Sequence, residues 1–243
     1  MKPYSPTLHI TKTVKLNYLL HLPPQMADKP GELWPTILFL HGFGESGDNS
    51  DVVMTQGLPR YLADHPDFPF IVIAPQCPWQ TWWPELADAL DVLLDECAAA
   101  YPIDPHRLYL TGLSMGGYGT WYLGTKWPQR FAAIAPICGG GYWFHGFPQR
   151  VERLKNVPVW AFHGALDPVV PLEASQLLIN TLTAVGGKAQ LTIYPNADHD
   201  SWTETYNNSE LYTWFLQHSL KTERLQFDDD GRNPSLTRFL GFG

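Results

Sequence analysis

The sequence predicts an α/β fold: a mainly parallel, doubly wound sheet of about eight strands with helices on both faces. Short apolar runs alternate with amphipathic stretches along most of the chain, and proline or glycine closes many of the runs. The length, 243 residues, suits one such domain with a full-sized core. Residues 1–220 are read as that domain and residues 221–243 as an irregular tail, where Asp228-Asp229-Asp230-Gly231 and Asn233-Pro234 signal turns.

Leu8 to Val14 and Leu16 to Leu22, the second run closed by Pro23-Pro24, read as an antiparallel edge. Thr36 to Leu40 and Phe70 to Ala74 read as buried central strands. From Pro84 to Tyr101 the apolar residues Leu86, Leu90, Leu93, Leu94 and Cys97 recur at three- and four-residue spacing with acidic residues between them, the pattern of an amphipathic helix. Proline suits its first turn at Pro84 and stops it at Pro102. Strands follow at Arg107 to Thr111, Phe131 to Ile137, Val157 to Phe162 and Gln190 to Tyr194. Helices are expected from Met115 towards Lys126, from Pro171 to Val185 and from Tyr206 to Leu220.

The net charge of −8 gives no field that would gather phosphate backbones or anionic lipid, so neither nucleic acid nor a membrane is expected as a partner. No basic start with an apolar run opens the chain, and no stretch reaches the roughly 20 apolar residues of a membrane helix, so a cytoplasmic location is expected. There is no metal-type spacing of Cys, His or acidic residues and no dinucleotide fingerprint, which predicts chemistry without a metal or cofactor.

Gly112-Leu113-Ser114-Met115-Gly116 has the G-x-S-x-G form between a predicted strand and a predicted helix. In so sharp a turn side chains at Gly112 and Gly116 would strike neighbouring backbone, and the Ser114 hydroxyl is pushed into the open at a helix N-terminus. Serine is a weak nucleophile and needs a base. Of nine histidines, His199 alone follows the last strand in a loop at the sheet end where Ser114 lies, and His145 is its competitor. Asp167, just beyond the Val157 strand, suits the acid that orients this imidazole, whereas Asp198 and Asp200 are too close in sequence to face its ring. The backbone amides of Phe43 and Met115 are placed to bind a developing oxyanion.

These residues resemble the α/β-hydrolases, and within them the phospholipase/carboxylesterase and feruloyl-esterase-like branch, over roughly Tyr18 to His218. The resemblance rests on the segment Phe39 to Gly47, on Ala74 to Pro78, on Gly112 to Gly117, on His163-Gly164 with Asp167 to Pro171, and on His199 with Ser201-Trp202. It implies a triad of Ser114, Asp167 and His199 and oxyanion amides at Phe43 and Met115. It also implies that the Thr36 strand lies between the Phe70 and Arg107 strands. Cys77 and Cys138 would then be three strands apart, roughly 14 Å and beyond disulfide reach.

Tryptophan and tyrosine crowd the loops expected around the serine, so Trp82, Trp83, Tyr142, Trp143 and Trp202 are candidate substrate-binding residues. With no large insertion for a lid, the expected function is a serine carboxylic-ester hydrolase acting through an acyl-enzyme on small to medium or aromatic, feruloyl-like esters. The alternatives are a peptidase or acyltransferase of the same fold, or a non-catalytic binding protein that kept it. The expected partner is a small-molecule ester, and both monomer and homodimer are compatible with the sequence.

Overall fold

The computed structural model describes residues 13–221. Seven strands form one sheet in the order β1-β3-β2-β4-β5-β6-β7. They are β1 (Tyr18–His21), β2 (Trp34–Leu40), β3 (Ile71–Pro75), β4 (Ile103–Leu113), β5 (Ala133–Ile137), β6 (Val159–Gly164) and β7 (Ala189–Tyr194). Strand β1 pairs antiparallel with β3 and all other pairings are parallel. The expected order at the centre, with β2 between β3 and β4, is what forms. Of the expected first strand, Leu8 to Val14, residues 8–12 lie outside the described residues and Thr13 and Val14 join no strand, so seven strands are described rather than about eight.

Among the described residues six α-helices cover the sheet: α1 (Gly57–Asp64), α2 (Ala87–Ala100), α3 (Met115–Lys126), α4 (Glu173–Ala184), α5 (Trp202–Asn207) and α6 (Ser209–Leu216). The alternation of a strand sends successive side chains to opposite faces. Along β2, Leu38 and Leu40 join Leu90, Leu94 and Trp121 on the side of α2 and α3. Ile37 and Phe39 join Tyr206, Leu211 and Phe215 on the side of α5 and α6. All four β2 side chains are fully buried, each contributing about 1.5–3 kcal/mol, which explains why the central strands read as unbroken apolar runs.

Because β2 to β7 run parallel, their following loops all leave one end of the sheet. Ser114, Asp167 and His199 follow β4, β6 and β7, so the topology alone brings them to that end. Between β5 and β6 there is only the short 3-10 helix Gln149–Leu154, and no helical lid is inserted there. No helix of the described residues is long and apolar enough to cross a membrane.

Candidate active site

The turn at Ser114 is built by close backbone approach. A Cβ on Gly116 would lie 1.9 Å from the Leu40 carbonyl oxygen, and one on Gly112 would lie 2.5 Å from the carbonyl oxygen of Gly116. With both positions bare, α3 begins directly at Met115, and Ser114 is held at φ 53° and ψ −114°, where non-glycine residues are rare. Its backbone N–H donates to the Ile137 carbonyl of the neighbouring strand at 3.0 Å.

Ser114 Oγ lies 2.9 Å from His199 Nε2, and His199 Nδ1 lies 2.7 Å from Asp167 Oδ2. A carboxylate only accepts, so the imidazole proton is on Nδ1 and the Nε2 lone pair faces the serine hydroxyl. Asp167 is fully buried at its side chain, and its other oxygen, Oδ1, accepts from the backbone of Val169 at 2.8 Å and Val170 at 2.9 Å. Asp198 and Asp200 turn away: Asp198 accepts from the Asp200 amide, while Asp200 receives the N–H and hydroxyl of Thr203 in the first turn of α5. Asp104 pairs with Arg107 at 2.6 Å, and His145 is exposed in the loop after β5.

The loop after β2 is clamped from beneath. His41, fully buried, donates from Nδ1 to Gly42 O at 2.6 Å and accepts the Cys77 N–H on Nε2 at 2.9 Å. Glu45 receives the Gly42 N–H at 2.8 Å, and Gln76 donates to the carbonyls of Glu45 and Asn49, both at 2.9 Å. Burial pulls the His41 imidazole down to about 4 and pushes the Glu45 carboxyl up. Phe43 opens the 3-10 turn Phe43–Glu45 and Met115 opens α3, and first-turn amides have no acceptor within their own helix. Glu45 and Gln76 were not singled out from the sequence, although both lie inside the segments that carry the resemblance.

The candidate aromatic residues divide. Tyr142, Trp143 and Trp82 are 49%, 69% and 41% exposed. Phe43 and Trp79, also exposed, meet edge to face at 6.4 Å. Trp202 stands edge-on to the His199 ring at 5.4 Å and donates from Nε1 to Gln56 at 3.1 Å. Trp83 corrects the expectation: it is 0% exposed, donates from Nε1 to the His41 carbonyl at 3.0 Å and packs over Gly119, so it belongs to the core beneath the loop after β2 rather than to a pocket.

All three cysteines are free and buried. Cys138 Sγ receives the Ser114 N–H at 3.3 Å, and burial holds its thiol well above the usual range. Its sulfur, an Asp167 oxygen and a His199 nitrogen all lie within 4.8 Å of one another. A cation bound by this trio would have to displace the proton shared by Asp167 and His199 and so break the hydrogen bond between them.

A family model described as phospholipase/carboxylesterase matches residues 83–213. The chain is 36% identical to a solved thermostable esterase, with a TM-score of 0.72, over 85% of this chain and 60% of that one. It is 29% identical to a poly(3-hydroxyoctanoate) depolymerase of Pseudomonas fluorescens over 66% of this chain and 63% of the relative. It is 26% identical to a bifunctional acetylxylan esterase/xylanase, XynS20E, of Neocallimastix patriciarum over 83% of this chain and 29% of the relative. The chain spans 37% of the length of the curated relatives it matches first. Since the family match takes in more than half of the chain and runs through Ser114, Asp167 and His199, this α/β-hydrolase fold belongs to the phospholipase/carboxylesterase family.

Proposed function

We propose that the protein is a serine carboxylic-ester hydrolase that works through an acyl-enzyme on small to medium or aromatic, feruloyl-like esters. The observation that carries this reading is the unbroken relay from Ser114 Oγ through His199 to the buried Asp167. His199 Nε2 takes the Ser114 proton as Oγ bonds to the ester carbon, and the carbonyl electron pair moves onto oxygen, facing the amides of Phe43 and Met115. On collapse the bond to the alcohol oxygen breaks and His199 gives that oxygen its proton. Water then repeats the sequence: its proton goes to Nε2, its oxygen bonds to the acyl carbon, and the returning proton restores Ser114.

Substrate class is read from the rim. Trp82 stands with the exposed Phe43 and Trp79 on the β2 and β3 side of Ser114, and Tyr142 and Trp143 stand on the β5 side. Trp202 backs the imidazole edge-on. Apolar flat surfaces on both sides of the nucleophile favour aromatic or extended apolar ester groups.

A fluorophosphonate probe should label the wild-type protein at Ser114 and leave Ser114→Ala unlabelled, with hydrolysis of p-nitrophenyl esters falling about a thousandfold or more. A folded wild type that takes no label ends the proposal. The same assay on feruloyl, aliphatic and amide substrates separates esterase from peptidase. Replacing Tyr142 and Trp143 together by alanine should cut the preference for aryl over aliphatic esters about tenfold.

A further inference from the structure

His163 is the last residue but one of β6, and from the sequence it is only half of a tight His-Gly exit turn. Its side chain is fully buried. Nε2 faces two groups that can only accept: the Val170 carbonyl at 2.9 Å and Asp167 Oδ2 at 3.3 Å. The proton of the neutral ring is therefore on Nε2. Nδ1 lies 2.7 Å from Ser175 Oγ, and that hydroxyl also lies 3.1 Å from the Gly139 carbonyl. With one proton to give, Ser175 serves the shorter contact to Nδ1 while the ring is neutral. Burial favours that state by pulling the imidazole below its usual range, against the opposing pull of Asp167.

Around Asp167 the donors are the amides of Val169 and Val170 on Oδ1 and His199 Nδ1 on Oδ2, and the His163 Nε2–H, bonded to the Val170 carbonyl at 2.9 Å, is shared with Oδ2 at 3.3 Å. A carboxylate offers about four lone-pair positions, so His163 completes the set. The same ring reaches, through Ser175, the loop that follows β5, beside the turn of Ser114.

We infer that His163 is a positioning residue for the hydrolytic reaction: by sharing its Nε2–H between the Val170 carbonyl and Asp167 Oδ2 it fixes the acid's orientation and moderates the carboxylate's pull on the His199 proton. The inference rests on the reading of Ser114, His199 and Asp167 as the catalytic relay. Two effects separate it from a role in packing. Losing the N–H frees Oδ2 to swing, which misaligns His199. It also concentrates negative charge on the oxygen that holds His199 Nδ1–H, so the imidazole keeps a second proton to higher pH. The titratable groups facing this cluster, among the described residues, are Asp167, His199, Cys138 and, from α3, Tyr118. Val170 and Ser175 are neutral.

The test compares wild type with His163→Leu, which fills the space without donating, and His163→Gln, whose amide can donate again. On a soluble p-nitrophenyl ester His163→Leu should lower kcat about 10- to 100-fold, the range for one lost hydrogen bond to a charged group, with KM nearly unchanged. The acid limb of its kcat/KM profile should move up by roughly half to one pH unit. His163→Gln should recover most of both. Proton NMR supplies a readout independent of turnover: the His199 Nδ1 proton should shift in His163→Leu and stay near its wild-type position in His163→Gln.

A wild-type rate, profile and Nδ1 resonance in His163→Leu would overturn the inference, as would equal losses in both variants that track only a fall in melting temperature. If His163→Leu does not fold, Ser175→Ala releases the ring and should move rate and resonance in the same directions by less. No change in either then overturns the inference. Loss of the catalytic reading looks different: fluorophosphonate fails to label Ser114 in the wild type, and the NMR comparison alone then decides whether His163 holds Asp167.

Discussion

His41-Gly42 at the end of β2 and His163-Gly164 at the end of β6 put the same dipeptide on opposite sides of Ser114, and both imidazoles are fully buried. The first bonds to neutral backbone, Gly42 O and the Cys77 N–H, with the Glu45 carboxyl farther off at 3.9 Å from Nδ1. The second faces the Asp167 carboxylate. On the proposed reading one local device does two jobs: at β2 it shapes a loop that presents an amide, and at β6 it steadies a charge. Their glycines differ as well. A Cβ on Gly164 would meet the backbone oxygens of Asp198 at 2.0 Å and Ala197 at 2.5 Å, in the segment that carries His199. One on Gly42 would meet the end of the Leu113 side chain at 2.8 Å.

The largest expected effect is therefore at Gly164. Gly164→Ala should cost more than about 3 kcal/mol, lower the melting temperature by roughly 6–12 °C and reduce esterase activity by moving His199. Next comes the acid sensitivity of the β2 side. His41 sits near 4 when folded and near 6.5 when unfolded, so the unfolded chain binds the proton first. Stability should fall as pH drops from about 6.5 to about 4 and level off below, a loss of about 3 kcal/mol in all. Glu45, raised by burial, works in the opposite direction, so the quantity to measure by urea unfolding is the flattening of the curve in His41→Gln. The smallest effect is Gly42→Ala, at about 1 kcal/mol, because a leucine methyl can yield where backbone cannot. Equal losses in Gly42→Ala and Gly164→Ala would erase the contrast between the two exits.

What could be read from the sequence was local and sterically forced. The turn at Ser114 needs two bare positions, and the approach of the Leu40 carbonyl to Gly116 shows why. The gathering of Ser114, Asp167 and His199 at one end followed from parallel connections, whereas the strand order at the centre came with the family resemblance. What failed depended on tertiary context. Trp82 and Trp83 are neighbours of identical chemistry, yet the 3-10 turn beginning at Trp83 aims that residue inward under His41 while Trp82 stays exposed. Strand β4 reaches back to Ile103, through Pro105 and well before the expected Arg107. The last helix is broken at Asn208, whose side chain accepts from the Glu210 N–H and starts α6 anew. Helix α1 was not expected, since Leu58, Tyr61 and Leu62 make too short a pattern to stand out from a loop. His163 had a faint signal in its four-residue spacing to Asp167, but only the folded loop after β6 lets them meet.

The left-handed backbone at Ser114 has a consequence for how this chain can change. A side chain held in that conformation costs on the order of 1–3 kcal/mol, and glycine would carry none of that strain. Pressure for durability alone would drive position 114 to glycine and leave a sturdier, hydroxyl-free shell. Directed evolution toward heat resistance therefore needs an activity screen beside the thermal one, because the strained position is also the one whose replacement is easiest to mistake for improvement.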